Sequence, residues 1–166
     1  MRFLLALLLM SALSQPAVGA GIVKNTGFSE EEITWLVKNV YFEARNQGIA
    51  GQLAVAMVTI NRISDPRFPN TIKEVVTQGY TYRNGFPIRH KCHFSWYCDG
   101  KSDKIKDWKT FNDIKRLILT YLQNRDIIFD LTEGATHYHA DYVLPSWAST
   151  KEKTIEIEDH IFYRWN

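Results

Sequence analysis

One glutamate, Glu43, stands where its side chain could act as an acid. It follows Leu36 and Val40 at helical spacing and lies at the border of the apolar stripe that these residues form. Partial burial and the negative end of a helix dipole both raise a carboxyl pKa, whereas Arg45 would lower the pKa of Glu43 if it lay close. A glutamic acid that keeps its proton near neutral pH can donate it to the leaving oxygen of a glycosidic bond. A solvated surface carboxylate fits the same position.

Four histidines offer a second kind of chemistry. His137 and His139 alternate in a stretch with the period of a β-strand, so both side chains project to one face. His90 and His93 are further candidates in the preceding sequence. Two or three histidines around an open coordination position suit a catalytic zinc ion, and Glu43 could then serve as the base. The spacing of these histidines is unspecific and does not define a metal site by itself.

The helix that must position Glu43 can be read from the apolar pattern. Ser29 and Glu32 form a capping box, which predicts that the helix starts at Ser29. The helix should end near Asn46 or Gly48, so Glu43 falls close to its carboxyl end. Its apolar face consists of Ile33, Leu36, Val37, Val40, Tyr41 and Ala44.

A second helix is predicted from about Ile49 to Ile63. It is apolar nearly all round, as expected for a central buried helix. Gln52 and Thr59 interrupt this pattern, and at about 100° per residue their spacing places them on one side of the helix. Polar groups on a buried helix either hydrogen-bond inside the protein or face a cavity. The sequence leaves both interpretations open.

The chain as a whole predicts helices first and a small antiparallel sheet last, which is an α+β architecture. Residues 78–101 lack periodicity and are rich in Gly, Tyr, Phe and His, so we interpret them as a long functional loop. The other predicted elements are a turn over 65–69, a short helix from the Thr71 and Glu74 capping box through Val76, an amphipathic helix over 103–125, a strand over 136–142, and a hairpin of 154–157 and 160–165 around Glu158 and Asp159.

The amino-terminal residues have the pattern of a signal peptide. Arg2 gives a positive start, an apolar run follows, and Val18 and Ala20 fit the small-residue positions before a cleavage point. The apolar run is shorter than the roughly 20 residues that span a bilayer, which favours removal over a membrane anchor. We therefore predict a signal peptide over residues 1–20 and a single mature domain over residues 21–166.

The chain contains two cysteines, Cys92 and Cys98. In an oxidising compartment a lone nearby pair is expected to form a disulfide. Such a bridge would hold residues 93–97 as a stiff loop. Two free thiols, or half of a metal site, are the alternatives.

The charge balance argues against nucleic acid as a partner. The formal net charge is +2, loss of Arg2 with the signal peptide lowers it by one, and basic residues are interleaved with acidic ones. The basic field that nucleic acid binding requires is therefore absent. Charges interrupt every later apolar run, so no stable membrane span is expected after removal of the signal peptide. Affinity for a substrate must come from shape, hydrogen bonds and aromatic surface.

Four motifs in a fixed order, with a closing segment, resemble a known family. They are YFEARNQGIAGQLAVAMVTINR at 41–62, FPNTIKEVV at 68–76, HFSWYCDGKSD at 93–103, GATHYHADYVLPSW at 134–147 and TIEIEDHIFYR at 154–164. Over nearly the whole mature chain they resemble the SleB/CwlJ-type cell-wall hydrolases, first described as spore-cortex-lytic enzymes. The resemblance implies a lysozyme-like helical core with a small C-terminal antiparallel β-sheet, a peptidoglycan substrate and no cofactor.

The resemblance implies that Glu43, in the EAR motif, is the catalytic acid. Family members are thought to be lytic transglycosylases that cut between N-acetylmuramic acid and N-acetylglucosamine, where one carboxyl group serves as acid and then as base. Hydrolysis would require a second carboxylate, for which Asp99 and Asp141 are the candidates. Asn61 and Arg62 match the family's NR pair, and we expect them to bind neighbouring loops. The expected substrate-binding residues are Gln52, Thr59, Phe94, Ser95, Trp96, Thr136, Tyr138 and Trp147, with core packing as the alternative for the two tryptophans.

Two other functions stay open at this point. A metal-dependent amidase would use the histidines to cut the stem peptide from muramic acid, and a non-catalytic wall-binding module would need no poised acid. The sequence departs from the usual family pattern at Asn46 and Gln47, where glycine is common, and at His93, where glutamine is expected. These differences concern subsite preference more than the reaction. The signal peptide predicts export to the periplasm or secretion to the cell wall.

Overall fold

The described part of the chain folds into helices followed by a small antiparallel sheet, as the sequence predicts. The computed structural model describes Val23 and residues 25–165, so the predicted signal peptide lies outside the described residues. The helices are α1 (Glu30–Ala44), α2 (Ile49–Ser64), α3 (Ile72–Thr77) and α4 (Trp108–Asn124). The strands are β1 (Gly79–Thr81), β2 (Pro87–Cys92), β3 (His137–Ala140), β4 (Glu152–Ile157) and β5 (His160–Arg164), with 3₁₀ turns at Ser95–Cys98 and Ala148–Thr150. None of the described helices is long and apolar enough to cross a bilayer.

Helix α1 packs against the other three helices, α2, α3 and α4. The predicted capping box is present: Ser29 accepts a hydrogen bond from the Glu32 N–H, and the Glu32 side chain accepts one from the Ser29 N–H. The predicted apolar face is fully buried. Each such aliphatic side chain stabilises the fold by about 1.5–3 kcal/mol. The helix ends at Ala44, two residues earlier than Asn46, so Glu43 lies in its last turn.

Helix α2 lies between α1 and the C-terminal sheet, which explains why it is apolar nearly all round. One side packs into the main core with α1. The opposite side forms a second apolar cluster, in which Ala54 and Val58 meet Phe162 of β5 and Ala135, all with no exposed surface. The predicted buried helix is therefore confirmed, and α2 fixes the sheet relative to α1.

The sheet has the strand order β3-β5-β4, with antiparallel pairs throughout. The predicted hairpin of β4 and β5 is confirmed, and its turn contains Glu158 and Asp159. Tyr138 of β3 stands opposite Phe162 of β5, and the two rings lie 5.6 Å apart. Phe162 packs against α2, so this pairing carries Tyr138 toward the helical core.

The hairpin turn caps the amino terminus of α2. The Glu158 carboxylate accepts hydrogen bonds from the N–H of Gly48 at 2.7 Å and the N–H of Gly51 at 3.2 Å. A Cβ atom on either glycine would lie 2.7 Å from a carboxylate oxygen of Glu158. Only glycine therefore permits this close approach, and the negative charge also complements the positive end of the helix dipole.

Replacement of Glu158 by alanine should lower the free energy of unfolding by about 1–2 kcal/mol, because two N–H groups of α2 lose their acceptor. Urea denaturation followed by circular dichroism measures this difference. Glu156→Ala is the control, since Glu156 is exposed and its single ion pair among residues 25–165 is with Lys153. It should change stability by about 0.5 kcal/mol or less. Equal destabilisation by the two variants would contradict the capping role.

Two predicted boundaries were wrong. Helix α4 begins at Trp108 instead of residue 103, because the Asp107 side chain accepts a hydrogen bond from the Thr110 N–H and so caps the helix there. Residues 78–101 are not one irregular loop, because β1 and β2 pair as a short antiparallel hairpin. These strands are mostly exposed and have an irregular register, so they lack the alternation that marks a strand in sequence.

Candidate active site

An open cleft of about 490 Å³ lies beside the carboxyl end of α1. Its first wall consists of Phe42, Glu43 and Arg45, and Ser95 and Trp96 of the 3₁₀ turn form the second. The segment over 99–106, which leads into α4, forms the third. Glu43 is thus the carboxyl group that α1 presents to this cleft, at the position that the sequence predicted.

The Glu43 carboxyl group is partly buried and held by one side chain from the sheet. The Tyr138 hydroxyl donates a hydrogen bond to Glu43 Oε2 at 2.9 Å. Burial and Glu43 raise the pKa of Tyr138 well above its ordinary value of 10.0, so the phenol keeps its proton and remains the donor. Burial raises the pKa of Glu43 above 4.5, while the Tyr138 hydrogen bond and the Arg62 charge act in the opposite direction. The net effect favours a carboxyl group that holds its proton.

Arg62, and not Arg45, is the cation that acts on Glu43. Arg62 is only 5% exposed, and its Nε donates a hydrogen bond to the Thr136 carbonyl at 2.7 Å. Burial lowers the pKa of Arg62 to about 10, so it stays charged at neutral pH. Arg45 is exposed and lies over the Tyr41 ring at 5.0 Å. The condition that the sequence prediction set for Arg45 is therefore not met, and Arg62 supplies the opposing charge instead.

The predicted NR pair binds neighbouring loops, as expected. Asn61 Nδ2 donates to Asp130 Oδ2 at 2.8 Å and to the Ala135 carbonyl at 3.0 Å, which ties α2 to the segment that precedes β3. Arg62 has the same effect through Thr136, two residues before Tyr138. These bonds fix the start of β3 and hence the position of the Tyr138 hydroxyl. The additional electrostatic effect of Arg62 on Glu43 was not predicted.

Thr59 does not face the cleft, because it is fully buried in a chain of hydrogen bonds. Asn39 Nδ2 donates to Thr59 Oγ1 at 3.2 Å, and Trp96 Nε1 donates to Asn39 Oδ1 at 2.8 Å. The Trp96 ring stacks on Phe42 with centroids 4.6 Å apart. Of the two interpretations of the polar line on α2, the internal hydrogen bond is correct for Thr59. The hydrogen bonds from Thr59 through Asn39 hold Trp96 in the cleft wall.

Of the other predicted substrate-binding residues, two line the cleft. Ser95 is exposed in the cleft and Trp96 lines it with its small accessible surface. Four others lie outside the cleft lining, each for a separate reason. Gln52 donates to the Gln47 carbonyl, Phe94 is buried beneath Arg62, Thr136 lines a separate cavity of about 530 Å³, and Trp147 packs against His137, His139 and Tyr163. Tyr138 is in contact with Glu43 itself.

His137 and His139 both pack against the Trp147 ring. Both ring nitrogens of His139 have partners, the Ala140 carbonyl at 2.8 Å and the Tyr163 hydroxyl at 3.0 Å. Burial and the charge of Arg62 lower the pKa of His137 to about 3. Among the residues that the structure describes, no group of three His, Cys, Asp or Glu side chains is placed to hold a metal ion.

Of the two candidates for a second carboxylate, only Asp99 lines the cleft. Its Oδ1 accepts the Lys101 N–H at 2.7 Å, and its Oδ2 lies 3.8 Å from Lys101 Nζ. Asp141 is exposed at the end of β3 and lies outside the cleft lining. Asp103, which the sequence did not suggest, also lines the cleft, and burial and Asp99 raise its pKa.

The predicted disulfide between Cys92 and Cys98 is confirmed. It joins the end of β2 to the end of the 3₁₀ turn, and the enclosed residues 93–97 include Ser95 and Trp96 of the cleft wall. The bridge therefore braces this wall, as the sequence suggested.

The double variant Cys92→Ser/Cys98→Ser should lose about 2 kcal/mol of unfolding free energy, because the denatured chain regains the entropy of a short open loop. Thermal unfolding with and without reductant measures the effect. The oxidised wild type should unfold at higher temperature than both its reduced form and the variant. If reductant leaves the wild-type transition unchanged while mass spectrometry shows two free thiols, the bridge does not stabilise the fold.

The profile of a family described as Cell Wall Hydrolase matches residues 46–163, which is more than half of the chain. The chain belongs to the cell wall hydrolase family. The match begins three residues after Glu43, so the role of Glu43 depends on the geometry described above. Cell wall hydrolases similar to this chain include the spore cortex-lytic enzymes of Halalkalibacterium halodurans, 28% identical over 82% of the chain, and of Bacillus cereus, 26% identical over 90%. The chain spans 36% and 50% of the lengths of these two relatives.

Two solved structures of SleB catalytic domains share the fold. The catalytic domain of the germination-specific lytic transglycosylase SleB from Bacillus anthracis matches with a TM-score of 0.61 and 27% identity, over 83% of this chain and 98% of that domain. The SleB catalytic domain from Bacillus cereus matches with a TM-score of 0.60 and 27% identity, over 87% and 99%. The predicted lysozyme-like α+β fold is therefore confirmed, and the chain corresponds to the catalytic part of these relatives.

Proposed function

We propose that this cell wall hydrolase is a peptidoglycan lytic transglycosylase that cuts between N-acetylmuramic acid and N-acetylglucosamine, with Glu43 as its acid and base. The observation that carries the proposal is one partly buried carboxyl group in an open cleft, bonded on a single oxygen by Tyr138. The other oxygen of Glu43 is then available to carry the proton toward a bound glycosidic oxygen. The similarity to SleB catalytic domains supports the same reaction.

In the first step Glu43 donates its proton to the oxygen that links muramic acid C1 to the next sugar. The C1–O bond breaks, the electron pair stays with the departing oxygen, and positive charge develops at C1. Glu43 is then a carboxylate, which the Tyr138 hydrogen bond and the Arg62 charge stabilise. These two groups offset part of the cost of a buried negative charge at the moment when it forms.

In the second step the 6-hydroxyl oxygen of the same muramic acid attacks C1, and Glu43 accepts the proton of that hydroxyl. The product is a 1,6-anhydro ring, and the carboxyl group returns to its starting state. No water molecule and no second carboxylate take part. This agrees with the engagement of Asp99 by Lys101, although Asp99 lines the same cleft.

A peptidoglycan substrate supports a location outside the cytoplasm. Peptidoglycan lies beyond the inner membrane, and the signal-peptide pattern over residues 1–20 supports export. We propose that the mature chain acts in the periplasm or on the cell wall. Peptidoglycan glycan strands are its partner in this proposal.

Digestion of purified peptidoglycan by residues 21–166, followed by mass spectrometry of the soluble fragments, tests the proposed reaction. Muropeptides that end in 1,6-anhydromuramic acid are expected. Reducing muramic acid ends would mean hydrolysis and would direct attention to Asp99 and Asp103 as the second carboxyl group. Free stem peptides with intact glycan strands would replace the proposal by the amidase, and binding without release would replace it by the wall-binding module.

A further inference from the structure

The third wall of the Glu43 cleft carries three lysines and two aspartates and is therefore net positive, although the chain as a whole is nearly neutral. Lys101, Lys104 and Lys106 all line the cleft from the segment over 99–106, and all three are exposed. Arg45 adds a fourth cation from the end of α1. We call Lys101, Lys104 and Lys106 the lysine wall.

The negative charges of the cleft do not cancel this wall. Asp99 is the only carboxylate within ion-pair distance of the lysine wall among residues 25–165, and it pairs with Lys101. Lys104 and Lys106 therefore have no acidic partner within that range. Burial and the charge of Asp99 raise the pKa of Asp103, and burial raises that of Glu43. The cleft lining has four cations and three carboxyl groups, so it keeps a net positive charge even when all three carboxyl groups are ionised.

The sugar rings of the glycan strand carry no charge that would attract these lysines. The N-acetylglucosamine ring and the muramic acid ring are neutral, and their hydroxyl and acetamido groups need hydrogen-bond partners instead of cations. The anionic groups next to the scissile bond are the carboxylates of the stem peptide, which is attached to muramic acid through its lactyl group. Exposed ammonium groups near such carboxylates attract them over roughly 8–10 Å at physiological ionic strength.

We propose that the lysine wall binds the carboxylates of the stem peptide on the muramic acid residue at the cleavage point. The protein would then prefer peptide-bearing glycan strands to strands without stem peptides. This proposal rests on the proposed function, because it assumes that the Glu43 cleft receives peptidoglycan. It assigns a specificity-determining role to residues that take no part in proton transfer.

The test compares binding of two substrates by two matched variants in a Glu43→Gln background, where cleavage does not deplete the substrate. One substrate is purified peptidoglycan freed of phosphate-containing polymers, and the other is the same material after an amidase has removed the stem peptides. Lys104→Gln/Lys106→Gln removes two cations of the lysine wall. Lys115→Gln/Lys153→Gln removes the same charge from positions outside the cleft lining.

The wall variant should bind peptide-bearing strands about tenfold more weakly than the control variant, because it lacks two cations that would pair with stem-peptide carboxylates. Binding to denuded strands should be equal for the two variants, and added salt should remove the difference on peptide-bearing strands. Equal binding of both variants to peptide-bearing strands would overturn the proposal. An equal loss on both substrates would also overturn it, because the lysines would then hold the glycan or the fold.

The binding measurement separates failure of this proposal from failure of the proposed reaction. One outcome is that the wild-type protein releases no glycan fragments while the two variants still differ in binding to peptide-bearing strands. That result would support the role of the lysine wall and contradict the transglycosylase reaction. If anhydromuropeptides are released and the variants bind alike, the reaction stands and the lysine wall does not.

Discussion

Glu43→Gln should lower kcat for release of glycan fragments on the order of 10²- to 10⁴-fold, the range expected for loss of a general acid. Glutamine matches the size and neutral charge of a protonated glutamic acid, so sedimentation with insoluble peptidoglycan should show unchanged binding. Reverse-phase chromatography of the soluble fragments measures the rate. Glu156→Gln, on the exposed face of β4, is the matched control and should retain full activity. Equal release by the two variants would contradict the role of Glu43.

The same substitution should also stabilise the protein in a pH-dependent manner. Burial raises the pKa of Glu43 above its ordinary value of 4.5, so the unfolded chain releases this proton at lower pH than the folded one. The contribution of Glu43 to the free energy of unfolding is fully present below about pH 4.5, the pKa in the unfolded chain. This contribution is lost as the pH rises through the higher pKa of Glu43 in the folded protein. The Tm advantage of Glu43→Gln should therefore grow from pH 4 to pH 7. A Tm difference that stays constant over this range would show that the carboxyl group is not perturbed.

Tyr138→Phe should lower kcat/KM about ten- to a hundredfold, because a hydrogen bond to a charged group contributes about 1.5–3 kcal/mol. Tyr138 is a positioning residue, since its hydroxyl touches Glu43 Oε2 at 2.9 Å. The hydrogen bond lowers the pKa of Glu43, so its loss should raise that pKa. The basic limb of the pH profile of kcat/KM depends on protonated Glu43 and should move to higher pH.

The control for this variant is Tyr163→Phe. The Tyr163 hydroxyl contacts His139 Nε2 at 3.0 Å on the neighbouring strand, and it makes no hydrogen bond to Glu43. Tyr163→Phe should leave the basic limb of the kcat/KM profile at its wild-type pH even if it lowers stability. Coincident pH profiles for both variants would mean that Tyr138 supports only the packing of the sheet.

The parts of the fold that sequence predicts well depend on local signals. The capping box at Ser29 and the apolar stripe of α1 act within a few residues, and both were confirmed. The hairpin around Glu158 was confirmed for the same reason. The start of α4 was misplaced because the segment over 103–106 continues the helical pattern, whereas the Asp107 cap decides the boundary.

The site was predicted less completely because its contacts join distant parts of the chain. Glu43 and Tyr138 are 95 residues apart, and no pattern in either segment indicates that β3 aims its hydroxyl at α1. The choice of Arg62 over Arg45 depends on which arginine is buried beside the sheet. The family resemblance named Thr59 and Tyr138 together, but only the structure shows that Thr59 supports Trp96 while Tyr138 holds Glu43.

The lysine wall could not be predicted from the sequence for a different reason. The lysines of its segment are interspersed with acidic residues in the sequence. That pattern is typical of a solvated surface. The basic character emerges only when the fold turns the lysines toward the cleft and Asp99 toward Lys101.

In the proposed reaction Glu43 alone carries both proton transfers, and the muramic acid 6-hydroxyl is the nucleophile. Digestion of peptidoglycan in water enriched in ¹⁸O tests this reaction, because only a reaction with water transfers the label to the new sugar end. We expect 1,6-anhydromuramic acid ends with no ¹⁸O. Reducing muramic acid ends that carry one ¹⁸O atom would show that water attacks C1 and that a second carboxyl group shares the catalysis.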